Sequence, residues 1–174
     1  MMVHSDNNNS LTHDNPPVVS YARTSILVCV NDNEHSRVAL KFACAKSKKT
    51  GCLVSILHVL EPADYQGLSM VMDHIENDKR KVAEKLLHDM ADLANQFSGV
   101  TPVLMLREGI NGKEIVAVAN QDHTIGMLVM GSSPETPGKG KLLSWLVGQL
   151  GKELLIPMII VPGNLTEQQI EALA

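Results

Sequence analysis

Two short segments hold the residue types best suited to chemistry. In the first, a continuous apolar run ending at Val30 passes into Asn31-Asp32-Asn33-Glu34, and an apolar-striped helix follows at once. Amide and carboxylate groups at the carboxyl end of a strand and the amino end of a helix stand where parallel α/β sheets hold ligands. The same residues would also suffice to make the turn and cap the helix. The second segment is Gly131-Ser132-Ser133-Pro134, continuing through Pro137 to Gly138-Lys139-Gly140-Lys141. Backbone amides, a helix dipole and two ammonium groups together could hold an anion, and a solvated basic loop is the plainer alternative. It is no Walker A loop, because Leu142 stands where Ser or Thr should follow the Gly-Lys pair.

No residue set forms a catalytic constellation. His35, His58, His74, His88 and His123 share no metal-ligand spacing, so no metal site is expected. Ser132 and Ser144 lack a nucleophile-elbow context. Asp73, His74 and Glu76 lie in a polar helical stretch without a nucleophile. The chain therefore reads as a binding or regulatory protein rather than an enzyme. His58 reads as a satisfied histidine in the core or the wall of a pocket.

The elements that must position these segments alternate regularly. Ser25 to Asn31 predicts a first strand, buried on both faces because its apolar residues do not alternate with polar ones. A helix through Val38, Phe42 and Ala45 ends at Lys48-Lys49-Thr50-Gly51. Leu53 to Leu60 predicts a second strand. Met70 to Gln96 predicts a long helix striped by Val82, Leu86, Leu87, Met90, Leu93, Ala94 and Phe97. Thr101 to Arg107 predicts a third strand, Lys113 to Asn120 a short helix, and Thr124 to Met130 a fourth strand. Leu142, Leu143, Leu146, Leu150 and Leu154 mark the core side of the next helix, and Pro157 to Val161 a fifth strand. The result is an open, doubly wound five-stranded parallel α/β sheet with helices on both faces. Its ligand would sit where the loops after the first and fourth strands meet.

Composition narrows the partners. The chain has 174 residues, 44% of them hydrophobic and only 3% aromatic, so aliphatic residues and methionine must fill the core. A net charge of −4 supplies no basic field for long nucleic acid. No apolar run reaches the ~20 residues that span a bilayer. Three cysteines, Cys29, Cys44 and Cys52, fit no disulfide framework and suit a reducing cytosol. Residues 1–20 read as a disordered polar leader with no signal-peptide pattern, residues 21–163 as the domain, and residues 164–174 as a helical tail, either on the surface or frayed. Trp145, the single tryptophan, stands beside the second loop, placed to cover a pocket mouth or meet a partner.

Taken in order, several stretches resemble the universal stress protein family. Ile26 to Asn31 leading into Glu34-His35-Ser36 resembles its opening, and Ile56-Leu57-His58-Val59 its second strand. Glu108-Gly109 with Lys113-Glu114-Ile115, then Leu128 to Ser132, then Pro157 to Val161, continue the likeness in register. The resemblance implies a Rossmann-like domain, commonly a homodimer joined through the last strand, here Met158, Ile159, Ile160 and Val161. It also implies that some members bind ATP, with Mg, or AMP. A binding member of this form would use Val30, Asn31, Asp32, Val59, Gly131, Ser132, Gly138, Lys139, Gly140 and Gly148, with the backbone of Val59 facing adenine.

Three departures from the nucleotide-binding pattern weigh against that use. Asn31 replaces the usual aspartate, losing a charge and adding a donor. Pro134 stands where a second glycine is usual, and proline offers no N–H to a phosphate. Gly138 and Gly148 keep the family's nine-residue gap, but Gln149 replaces the hydroxyl residue. The sequence thus favours a cytoplasmic, stress-responsive homodimeric interaction module with an unidentified protein partner. An ATP- or AMP-responsive regulator is the alternative.

Overall fold

The computed structural model describes residues 25–62, 69–133 and 140–174, the side chains of 69–73 excepted. The polar leader, Pro134, Gly138 and Lys139 lie outside the described residues. The elements are β1 (Ser25–Cys29), α1 (Glu34–Thr50), β2 (Leu53–Leu60), α2 (Ser69–Ser98), β3 (Val103–Glu108), α3 (Asn111–Gln121), β4 (Ile125–Ser132), α4 (Lys141–Gln149), β5 (Met158–Pro162) and α5 (Glu167–Leu173).

All five strands run parallel in the order β3-β2-β1-β4-β5. The first strand in the chain is therefore the central one. Its Ile26, Leu27 and Val28 are buried between two helical layers, as the unbroken apolar run requires. The chain winds from β1 through β2 to β3, then returns across the sheet to β4, so the strand order reverses at β1.

Two cores result. On one face α1, α2 and α5 cover the sheet, with Leu40, Phe42, Cys44, Leu86, Leu87, Met90 and Ile170 packed on Ile26, Val28 and Ile56. On the other, Ile115, Val116, Val118 and Ala119 of α3 and Leu146 of α4 pack on Leu27, Leu57 and Leu128.

The element order matches the sequence reading, and the differences lie at element ends. In α2 the buried stripe runs Ala83, Leu86, Leu87, Met90, Ala94, while Val82 is 69% exposed. Both residues lie a helical step from Leu86, and the smaller one takes the inner place. The second loop begins later than expected, because β4 continues through Gly131 and Ser132, which pair with Val161 and Pro162. Helix α3 begins at Asn111, whose N–H donates to Oε1 of Glu61 at 3.2 Å. Helix α4 stops at Gln149, where Gly151 takes a left-handed φ of 74°. Leu150 is therefore turned out, and Leu154 reaches the core from the turn that follows.

The C-terminal segment is a docked helix. Thr166 forms a capping box with Gln169. Ile170 is buried against α1, and Lys41 pairs with Glu167 at 2.6 Å while lying 5.5 Å from the centroid of the Phe97 ring.

Candidate functional site

The loop after β1 is fixed by its own short polar side chains. Asn33 caps α1, its Oδ1 accepting the N–H of Ser36 at 2.8 Å. The Ser36 hydroxyl in turn accepts the N–H of Asn31 at 2.9 Å. The backbone of Val30 is held on both sides. Its N–H donates to the carbonyl of Leu57 at 2.9 Å, and its carbonyl accepts from Nδ1 of His58 at 2.8 Å. A carbonyl can only accept, so this bond places the proton on Nδ1. His58 is thus a satisfied histidine, as the sequence suggested, but of its strand it is Leu57 and Val59 that line the cavity described below.

Across from this loop, the end of β4 approaches α1 more closely than a side chain would permit. A Cβ on Gly131 would collide with the carbonyl of His35, and one on Gly163 would collide with the His35 imidazole. His35 is clamped between these two glycines, and its Nδ1 is buried with no hydrogen-bond partner. The N–H of Gly163 donates to the carbonyl of Ser132 at 2.9 Å, tying the end of β5 to the end of β4.

Between the two loops lies a cavity of about 1020 Å³ at the carboxyl end of the sheet. The amino ends of α1, α3 and α4 all reach its wall through Asn33, Asn111 and Gly140. Their partial positive charges add to the ammonium groups of Lys113 and Lys141 on the same wall. The carboxylate of Glu61 is the counterweight, and it is engaged with the first amide of α3.

The sequence-derived site residues fall into three groups. Val30, Asn31, Val59, Gly131, Ser132 and Gly140 are brought together on the cavity wall. Asp32 and Gly148 are not. Asp32 turns to solvent and pairs with Arg37 at 2.9 Å, because it and Asn31 project in different directions. Gly148 sits on an exposed side of α4 with open space around its Cα. Gly138 and Lys139 lie outside the described residues. Among the strand residues of the expected interface, Ile160 is 41% exposed, Met158 and Ile159 are half-buried, and Val161 is 1% exposed. The Val161 side chain belongs to the core, so only its backbone could serve an edge contact.

Sequence reasoning missed the α3 side of the wall, formed by Glu61, Ile110, Asn111 and Gly112. Asn111-Gly112 looks like a turn in the sequence, but it opens α3, and the Asn111 N–H donates to Glu61. Cys29 also lines the cavity, and burial pushes its thiol well above the ordinary range. That keeps it protonated and a poor nucleophile. The hydroxyls of Ser36 and Ser132 bond to backbone groups. Among the described residues, no group of three or more His, Cys, Asp or Glu could hold a metal ion, and no helix is long and apolar enough to cross a membrane.

The domain is a doubly wound α/β fold with a cavity at its strand-order reversal, the place where open α/β sheets hold ligands. The sequence pattern of the universal stress protein family matches residues 22–162, and the chain belongs to that family. Solved structures agree in fold. The universal stress protein UspA from Lactobacillus plantarum is 18% identical, with a TM-score of 0.66 over 80% of this chain and 97% of its own. The universal stress protein from Archaeoglobus fulgidus in complex with dAMP is 17% identical, with a TM-score of 0.58 over 80% and 98%. A universal stress protein family protein from Arabidopsis thaliana with AMP bound is 15% identical, with a TM-score of 0.56 over 80% and 91%. No protein of curated function matches the chain.

Proposed function

We propose that this chain is a stress-response regulatory protein that binds an adenine nucleotide, AMP or ATP, in the cavity at the end of β1 and β4. The observation that carries this reading is the cavity itself. Its volume of about 1020 Å³ accommodates a nucleotide, and three helix amino ends face it. Two fold relatives, from Archaeoglobus fulgidus and Arabidopsis thaliana, are described with dAMP and AMP bound, which supports the same ligand class here. The phosphate end would lie at Gly131, Ser132, Gly140 and Lys141, and the base near Val59. Magnesium would accompany ATP through its phosphates rather than through a protein ligand set. The reading is of binding, because among the described wall residues burial keeps the Cys29 thiol protonated and the hydroxyls of Ser36 and Ser132 bond to backbone groups.

Equilibrium dialysis of the full chain against AMP and Mg-ATP tests it. Retention of either nucleotide, lost in Gly131→Ala, supports the site. No retention at millimolar nucleotide would rule it out and return the protein to the interaction-module reading.

One observation favours a homodimer as a second, compatible feature. Strand β5 is an edge strand, and Ile160 leaves 41% of its surface exposed there. Sedimentation of Ile160→Lys would shift a dimer to monomer, whereas an unchanged particle mass would exclude this edge as the interface. The free thiols of Cys29, Cys44 and Cys52 suit a reducing, cytosolic setting.

A further inference from the structure

The cavity wall mixes polar and apolar groups. Asn31, Gly131, Ser132 and Lys141 line it at the ends of β1 and β4 and the start of α4, whereas Val59, Ile110, Ile115 and the indole of Trp145 supply apolar surface, with Glu61 and Asn111 beside them. Trp145 is the single tryptophan of the chain. It is 37% exposed and lines the cavity, while its neighbour Leu146 is fully buried and anchors α4.

The seat of the ring is built by a glycine. Gly112 is buried in the first turn of α3, and a Cβ there would fall 2.5 Å from both Cε3 and Cζ3 of the indole. Alanine would be the better helix former at such a position, but it would push the ring away. Gly112 therefore lets the benzo edge of Trp145 rest on α3, and the same residue lines the cavity.

We propose that Trp145, seated by Gly112, is the stacking wall for the flat base of a purine nucleotide. The cavity then selects its ligand by the base and not by phosphate alone. This inference rests on the nucleotide reading above. The base would lie with its π-face offset over the indole, beside Val59, Ile110 and Ile115. The sugar and phosphate would extend toward Asn31, Gly131 and Lys141, where α1 and α4 begin. Ribose 5-phosphate can make the same phosphate contacts but offers nothing to the indole.

The test compares AMP with ribose 5-phosphate on the full chain, following indole emission alongside equilibrium dialysis. AMP is expected to change the emission, and ribose 5-phosphate to leave it unchanged. Trp145→Leu should weaken AMP roughly tenfold or more, the range for losing one base-stacking partner, without changing ribose 5-phosphate binding. Trp145→Phe should recover most of that loss, and Gly112→Ala should reproduce it by displacing the ring. If AMP is retained but neither the emission nor the affinity of Trp145→Leu changes, the ring is only packing between α3 and α4. The inference is then overturned while the nucleotide reading stands. If wild-type protein retains no AMP, both fall together. Should Trp145→Leu fail to fold, the wild-type emission titration and Trp145→Phe decide the matter.

Discussion

The two faces of the sheet are built to different standards. On one, α1 buries nine of its 17 residues and is flanked by α2 and α5. On the other, α4 is nine residues long and buries only Leu146. Trp145, Val147 and Leu150 on or just beyond α4 are all more than a third exposed. The dense face stores stability, and the thin face spends little apolar area on packing and keeps surface free for contacts. The cavity is lined from both, by Asn33, His35 and Ser36 at the start of α1 and by residues of α3 and α4.

This contrast can be broken most directly by matched cavity-creating substitutions. Leu40 and Leu146 are both fully buried, one on each face. Leu40→Ala should cost about 4 kcal/mol, because α1 is held between neighbours and cannot close the gap. Leu146→Ala should cost about 2 kcal/mol, because α4 is free to settle inward. Urea unfolding measures both, and equal losses would refute the difference between the faces.

Alkaline pH probes both sides of the sheet at once. Burial raises the thiol of Cys29 beside the cavity and that of Cys44 in the dense core. With the folded values above the unfolded ones, the unfolded chain loses its thiol protons first. Stability is then fully present below about pH 9 and falls as pH rises further, by up to about 1.4 kcal/mol per pH unit for each thiol. Replacing Cys44 with Ala should flatten part of that decline, and a pH-independent stability between pH 8 and 10.5 would contradict the burial of both thiols.

The smallest effect concerns charge on the dense face. The Lys41–Glu167 pair is largely solvated on its acidic side. Glu167→Gln should cost about 0.5 kcal/mol or less, and nothing measurable in roughly 1 M salt. A larger, salt-resistant loss would mean that α5 is held by charge rather than by Ile170.

The architecture was legible because its signals are strong and local. An unbroken apolar run such as Ile26–Val30 marks a doubly covered strand, and the α2 stripe repeats over several turns. The site was legible in part. Asn31 and Gly131 stand at the expected ends of β1 and β4 and line the cavity there, a position that follows from topology alone. Asp32 was not readable, because a one-residue step along the loop decides whether a side chain meets the cavity or Arg37. Gly148 was not readable either, since spacing along the chain does not report which side of α4 faces the sheet. The role of Gly112 depends on Trp145, a residue 33 positions later on another helix, and no local pattern encodes that contact. The exposure of Ile160 beside the burial of Val161 follows simply from the two-residue repeat of a strand.

The central place of β1 has a consequence for how the protein is made. Leu27 pairs with Ser55 on one side, which emerges soon after it, but with Leu128 on the other. At about 5–20 residues per second, the ribosome takes several seconds to deliver that second partner. Throughout that interval the most apolar strand of the chain carries an open edge. The nascent protein is thus most in need of a chaperone at its very first strand, and the cavity, which needs both β1 and β4, is among the last features to form.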